Sequence, residues 1–140
     1  MDLLKTLDIA GSGLSAQRTR MQTVATNMAN ARTTRTAEGG PYRRRAPVFQ
    51  AQVADPFGSE LDQAMASVEV AEVWESDSPG VWVRDPYHPD ADEEGMVLLP
   101  DINIMHEMVD LMTTGRSYEA NASVVEATRD MALQALNIGR

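Results

Sequence analysis

The sequence predicts a mainly α fold with a small β region: long N- and C-terminal helices that pair as a coiled coil, and a short-stranded central domain between them. Apolar residues recur every seven positions near both ends of the chain, which is the spacing of a helix packed along another helix. The middle instead alternates or clusters β-branched and apolar residues between Pro, Gly and Asp, the pattern of short strands and turns. Only 5% of the residues are aromatic and the mean hydropathy is -0.32, so a chain of 140 residues builds a thin core.

The first helix is expected over residues 2 to 31. Leu7, Leu14, Met21 and Met28 form one seven-residue row, and Leu3, Ala10, Val24 and Ala31 form a second that only Gln17 interrupts. Gly11 and Gly13 weaken this helix by about 1 kcal/mol each relative to Ala. Asn27 and Asn30 stand near its end, where an Asn side chain bonds backbone groups freed by the helix terminus or fixes register across a seam. "TTRTAEGGPYRRR" reads as a loop. Strands follow at 48 to 53, 68 to 75, 81 to 84 and 95 to 99, with "DSPG" as a turn.

The second helix is expected over residues 103 to 138, opened by Asn103 as N-cap after Pro100 and ended at Gly139. Ile104, Leu111, Tyr118, Val125 and Ala132 form its main row; Met108, Gly115, Ala122 and Leu136 form the companion row, broken by Arg129. At 1.5 Å per residue the two helices reach roughly 45 and 54 Å, longer than a compact domain of this size needs. Met residues on or beside both stripes suit an interface that must accept varied neighbours, because the thioether side chain fills irregular gaps. The chain therefore divides into an N-terminal axial helix (1–35), a central β-containing outer domain with loops (36–100) and a C-terminal axial helix (101–140).

Net charge is -9, unevenly spread. Residues 1 to 45 carry eight Lys/Arg against three Asp/Glu, residues 46 to 101 one Arg against thirteen acids, and residues 102 to 140 three Arg against five acids. Such runs are ordinarily solvated surfaces; the sharper reading is complementary faces that meet between subunits and steer association. There is no cysteine, which excludes a disulfide framework and a thiolate metal site. The start has no apolar core of signal-peptide length, and no stretch approaches the roughly 20 apolar residues of a membrane span.

Chemistry finds little purchase. In "DADEEG", Asp90, Asp92, Glu94 and Gly95 match four positions of a calcium loop and Asp101 a fifth, but the last position wants a bidentate Glu and the preceding segment cannot be the required helix. An acidic turn before a strand is the better reading. His88 and His106 flank the last strand with no further ligand at metal spacing. With no nucleophile elbow or phosphate-binding loop, no catalytic residue, cofactor, metal or small-molecule substrate is expected. Arg43, Arg44 and Arg45 with Tyr42 carry the alternative, a nucleic-acid-binding module, against which stands a pI near 4.6.

Three segments, "DIAGSGLSAQRTRMQTVATNMANA", "GGPYRRRAPVFQAQV" and the stretch from "DPYHPDADEEGMVLLP" to "ALNIG", together resemble the flagellar basal-body rod proteins, specifically the short C-type of the proximal rod. The ordered set is Asn27, Asn30, the turn at 40 to 43, the turn at 92 to 95, and Arg116, Tyr118 and Asn121. Met28 departs from the usual Leu, Gly115 from Ser or Ala, and the Thr-rich insert before "EGGPY" from relatives. The resemblance implies a structural subunit that polymerises into a hollow drive shaft, transmitting torque and enclosing the export channel. It implies an assembly seam of Leu7, Leu14, Met21, Val24, Met28, Ile104, Met108, Leu111, Tyr118 and Val125, a structural joint at Asn27 and Asn30, and inter-subunit polar contacts through Arg43, Arg44, Arg45, Arg116 and Asn121. It further implies export through the flagellar type III apparatus without a cleavable signal, a periplasmic location, and as partners further copies, B-type and distal rod proteins, inner-membrane ring and rod adaptor proteins.

Overall fold

A computed structural model describes residues 3–53 and 65–138. Its elements in chain order are helix α1 (Leu3–Ala29), strands β1 (Arg45–Val53), β2 (Ala66–Glu75), β3 (Val81–Arg84) and β4 (Met96–Leu99), and helix α2 (Ile104–Ile138). This is the expected mainly α architecture with a small β region, and all four strands fall where β-branched residues cluster. The end of the second helix expected at Gly139 lies outside the described residues.

Local chemistry explains where the helices begin and end. At the close of α1, Asn30 Nδ2 donates to Thr26 O at 2.9 Å, a carbonyl that also accepts the Asn30 amide at 3.0 Å, and its Oδ1 accepts from Thr33 Oγ1 at 3.1 Å, so the side chain reinforces the last turn of the helix. Asn103 opens α2 as an N-cap: its Oδ1 accepts the amides of Met105 at 3.0 Å and His106 at 3.3 Å.

The strands form two separate two-stranded antiparallel ribbons. β1 and β2 pair from Arg45 opposite Glu75 to Val53 opposite Ala66, with a bulge at Val48/Phe49. This ribbon is tied to α1 by the Val68 amide, which donates to Ser12 Oγ at 3.1 Å. β3 and β4 pair from Val81 opposite Leu99 to Arg84 opposite Met96.

The helices run antiparallel. Asn27 bonds Glu107, Arg20 bonds Asp110 and Gly13 lies against Asn121, so residue numbers rise on α1 as they fall on α2. In this register the part of α2 beyond about residue 131 extends past Leu3, and Leu133, Leu136 and Ile138 there are exposed.

On α1 the helices meet along the second apolar row, at Ala10 and Val24, but on α2 the joining surface is not the one that hydrophobic periodicity picks out. On α1 the buried residues are Ala10, Ala16, Val24 and Asn27; on α2 they are Glu107, Thr114 and Thr128. With half-buried Asn121, the α2 residues make a seven-residue row composed wholly of polar side chains. The Thr hydroxyls are satisfied within their own helix, Thr114 Oγ1 donating to Asp110 O at 2.6 Å and Thr128 Oγ1 to Val124 O at 2.8 Å, so each Thr can turn its methyl to the partner helix. Small residues let the backbones approach: a Cβ built on Gly13 would sit 2.9 Å from Asn121 Nδ2. Leu7, Leu14, Met21, Met28, Leu111 and Val125 flank this seam half-buried, Val24 lies inside it, and Ile104, Met108 and Tyr118 are exposed.

Candidate assembly interface

Asn27 is the hub of a polar joint between α1, the loop before β1, and α2. Its side chain is fully buried. Nδ2 donates to Arg45 O at 2.7 Å and to Glu107 Oε2 at 3.0 Å, while Oδ1 accepts from the Arg45 amide at 3.0 Å and from the Tyr42 hydroxyl at 3.1 Å. Both donors and both acceptor positions of the amide are thereby used. Asn27 holds the first residue of β1 by both backbone groups, and so fixes where the ribbon leaves the helix.

Glu107 is 1% exposed, and a carboxylate so placed needs charge and hydrogen-bond partners. Arg44 supplies them from the loop, Nε donating to Oε1 at 2.6 Å. Burial raises the Tyr42 phenol above its ordinary value of 10.0 despite the opposing effect of nearby Arg45, whose guanidinium carbon stands 5.8 Å from the ring centroid. The phenol is thus held neutral, as a donor to Asn27.

The structure sets the two asparagines apart. Asn27 links three elements, whereas Asn30 bonds only within its own helix end. The basic cluster is likewise divided: Arg44 pairs with Glu107 and Arg45 with Glu75 at 2.5 Å, leaving Arg43 exposed. The contacts seen for Arg44, Arg45 and Asn121 are therefore within the chain, while Arg116 is exposed on α2. Two of the three cluster arginines are thus spent on acids within the chain, and nothing in this site supports a nucleic-acid reading. Tyr42 was singled out from the sequence only as a member of the basic cluster and its turn, and Glu107 not at all; the one available signal for Glu107 was an acid among the Ile, Met and Val residues that begin the helix.

The acidic turn is a structural device. Asp92 Oδ1 accepts the amides of Glu94 at 3.0 Å and Met96 at 2.7 Å, and Gly95, at φ 75, faces Pro86 so closely that a Cβ would lie 3.0 Å from the ring. Asp90 ties the turn to the loop after α1 through Arg35 and Thr34, each at 2.6 Å. Among the described residues no group of His, Asp and Glu could hold a metal ion.

The first turns of α2 expose an apolar stripe, while its middle exposes Arg116, Glu119, Glu126 and Arg129. Met105, Met108, Val109 and Met112 occupy its first turns, Met105 being 67% exposed, and Met131, Leu133 and Leu136 continue toward its end. Large exposed apolar patches mark surfaces that meet other proteins or membranes, and no described helix is long and apolar enough to cross a membrane.

Comparison with known proteins identifies the family of this chain. The family model "Flagella basal body rod protein" matches residues 7–35, and "Flagellar basal body rod FlgEFG protein C-terminal" matches residues 93–138. The flagellar basal-body rod protein FlgC of Salmonella typhimurium is 40% identical over 140 residues, covering all of both chains. The FlgC proteins of Borreliella burgdorferi, 38% identical over 99% of this chain and 98% of the relative, and of Bacillus subtilis, 39% identical over the whole of both, agree. The chain belongs to the FlgC family of flagellar basal-body rod proteins, and is a structural subunit of the basal-body rod.

Proposed function

We propose that this subunit polymerises with further copies and with other rod proteins into the hollow proximal rod, which transmits torque and encloses the export channel, and that it turns over no substrate. The observation that carries the reading is the apolar stripe exposed on the first turns of α2. A helix that packs inward through Glu107, Thr114, Asn121 and Thr128 while exposing Met105, Met108, Val109 and Met112 has kept its hydrophobic area for neighbours. Burial of that area, at about 25 cal/mol per Å², supplies assembly energy that the lone chain cannot use. Leu7, Leu14, Met21 and Met28 on α1, with Ile104, Leu111, Tyr118 and Val125 on α2, are the flanking rows along which neighbouring helices pack, and Arg43 and Arg116 are the exposed cations available to acidic neighbours.

The location proposed with it is the periplasmic portion of the basal body, reached through the flagellar export apparatus without a cleavable signal, beside the inner-membrane ring and rod adaptor proteins; membership of the rod family supports this reading. The test is complementation of a strain lacking the gene, with the protein assayed in purified basal bodies. Wild type is expected to restore motility and co-purify. Met108→Glu, which adds a charge on a surface already exposed in the free chain, is expected to be exported and not incorporated. A motile Met108→Glu strain with normal basal bodies would refute the assignment of the α2 face.

A further inference from the structure

The stripe exposed on the first turns of α2 is made largely of thioethers. Met105, Met108 and Met112, spaced three and four residues apart, share one side of the helix, and they are 67%, 45% and 64% exposed. Met131, 54% exposed, lies well beyond them on α2. Met21, Met28 and Met96 are half-buried, and no methionine is fully buried among the described residues. The chain has no cysteine, so no thiolate competes for an oxidant, and the exposed thioethers are the sulfur groups that it reaches first.

A peroxide supplies the simplest reaction. A sulfur lone pair attacks one peroxide oxygen, the S–O bond forms as the O–O bond breaks, and the departing hydroxide takes the proton from the transferred oxygen and leaves as water. The sulfur gives up an electron pair and the peroxide is reduced by it. A polar sulfoxide, a hydrogen-bond acceptor, then stands where an apolar side chain stood. The buried residues that hold the helices together, Ala10, Ala16, Val24 and Asn27 on α1 with Glu107, Thr114 and Thr128 on α2, contain no sulfur. Oxidation of the stripe therefore alters the surface offered to neighbours and leaves the groups that maintain the fold untouched.

We propose that Met105, Met108 and Met112 form a modification site, at which sulfoxide formation in the free chain blocks incorporation into the rod while the fold persists. The inference rests on the proposed burial of this stripe against neighbouring subunits and adds a chemical control to it. A sulfoxide pressed into an apolar contact leaves an acceptor unpaired, which lowers incorporation by about tenfold for each group so buried. Once a subunit is in place its neighbours cover the thioethers, so the sensitive interval lies between synthesis and assembly. Methionine sulfoxide is enzymatically reducible, which makes the block reversible.

The experiment has a chemical arm and a cellular arm. The purified full-length chain is treated with hydrogen peroxide and its peptides are mapped by mass over time. Met105 and Met112 are expected to gain oxygen before Met21, Met28 and Met96, with hydrogen exchange over residues 40–50 unchanged. Equal rates at all these positions, or loosening of the joint, would overturn the proposal. In a strain lacking the gene, wild type is compared with two triple variants: Met105→Leu, Met108→Leu and Met112→Leu together, and the same three positions changed to Gln, which imitates the polarity of the sulfoxide. The Gln variant is expected to be exported and to enter basal bodies about tenfold less than wild type, or worse. Peroxide given before assembly is expected to lower wild-type incorporation relative to the same strain untreated, and to leave that ratio unchanged for the Leu variant. Wild-type incorporation of the Gln variant, or equal peroxide sensitivity of wild type and the Leu variant, overturns the inference. If Met108→Glu is excluded from basal bodies in that case, the stripe stands as an interface and only its oxidative control falls; if Met108→Glu enters as well, both readings fall.

Discussion

Replacing Asn27 by Ala tests whether the joint is one cooperative unit. Four hydrogen bonds disappear together. Two of the partners, the Arg45 amide and carbonyl, lie beside the surface and can recruit water, so each loss costs about 1 kcal/mol. The other two, the Tyr42 hydroxyl and Glu107 Oε2, belong to buried residues, and each group left without its partner costs about 1–3 kcal/mol. Water entering the space vacated by the amide recovers part of this, leaving an expected loss of roughly 3–4 kcal/mol, or a hundred- to a thousandfold in the opening equilibrium.

Asn30→Ala is the internal control. Its side chain makes two local bonds at a helix end, so its loss costs about 0.5–1 kcal/mol. The assay is hydrogen exchange of peptides spanning residues 40–50 and 103–112, where faster exchange reports opening of the joint itself. If the two variants accelerated exchange in both peptides to the same degree, the distinction drawn between a three-element hub and a local cap would be wrong.

Tyr42 gives the joint an alkaline limit. Burial raises the phenol in the folded state above 10.0, so its contribution is fully present below that pH and is lost as pH rises through the higher folded value; Tyr42→Phe is expected to flatten that limb of a stability-versus-pH curve, and an unchanged limb would count against it. Gly95→Ala places a Cβ 3.0–3.3 Å from Pro86 at φ 75 and should cost about 1–3 kcal/mol in thermal unfolding. Glu93→Gln alters an exposed charge and should shift stability by less than about 0.5 kcal/mol with motility intact; a non-motile but normally exported Glu93→Gln strain would reopen the case for a functional acidic site.

The helices and strands were legible because their signals are local. Heptad rows announced α1 and α2, Asn103 announced the start of α2, and β-branched clusters bounded by Pro and Gly announced the strands. On α1 the pairing face was legible as the row of Ala10 and Val24; on α2 it was not. Glu107, Thr114, Asn121 and Thr128 recur every seven residues, but periodicity analysis weighs apolar residues and passes over a polar row. Burial of Glu107 depends on Arg44, sixty-three positions earlier, and no local pattern encodes such a partner. The charge split was visible, but not that Arg35, Arg44 and Arg45 would spend part of it on Asp90, Glu107 and Glu75 within one subunit.

The allocation of residues between inner and outer faces explains why the polar seam suits a rod subunit. An apolar seam between α1 and α2 would bind more tightly, since replacing buried ionic groups by packed apolar ones is often neutral or stabilising. It would also tolerate sliding by a heptad, because apolar rows look alike in each register. Here the bonds of Asn27 to Glu107 and of Arg20 to Asp110, with the close approach of Gly13 to Asn121, are each satisfied in a single alignment. Register is thus set by polar groups, and Met105, Met108, Val109 and Met112 remain for neighbours. The free chain should accordingly be loosely held, with weak hydrogen-exchange protection at the far end of α2 and the strongest protection at the joint. Strong uniform protection of residues 104–138 in the dilute monomer would show that the helix pair needs no neighbour to stabilise it.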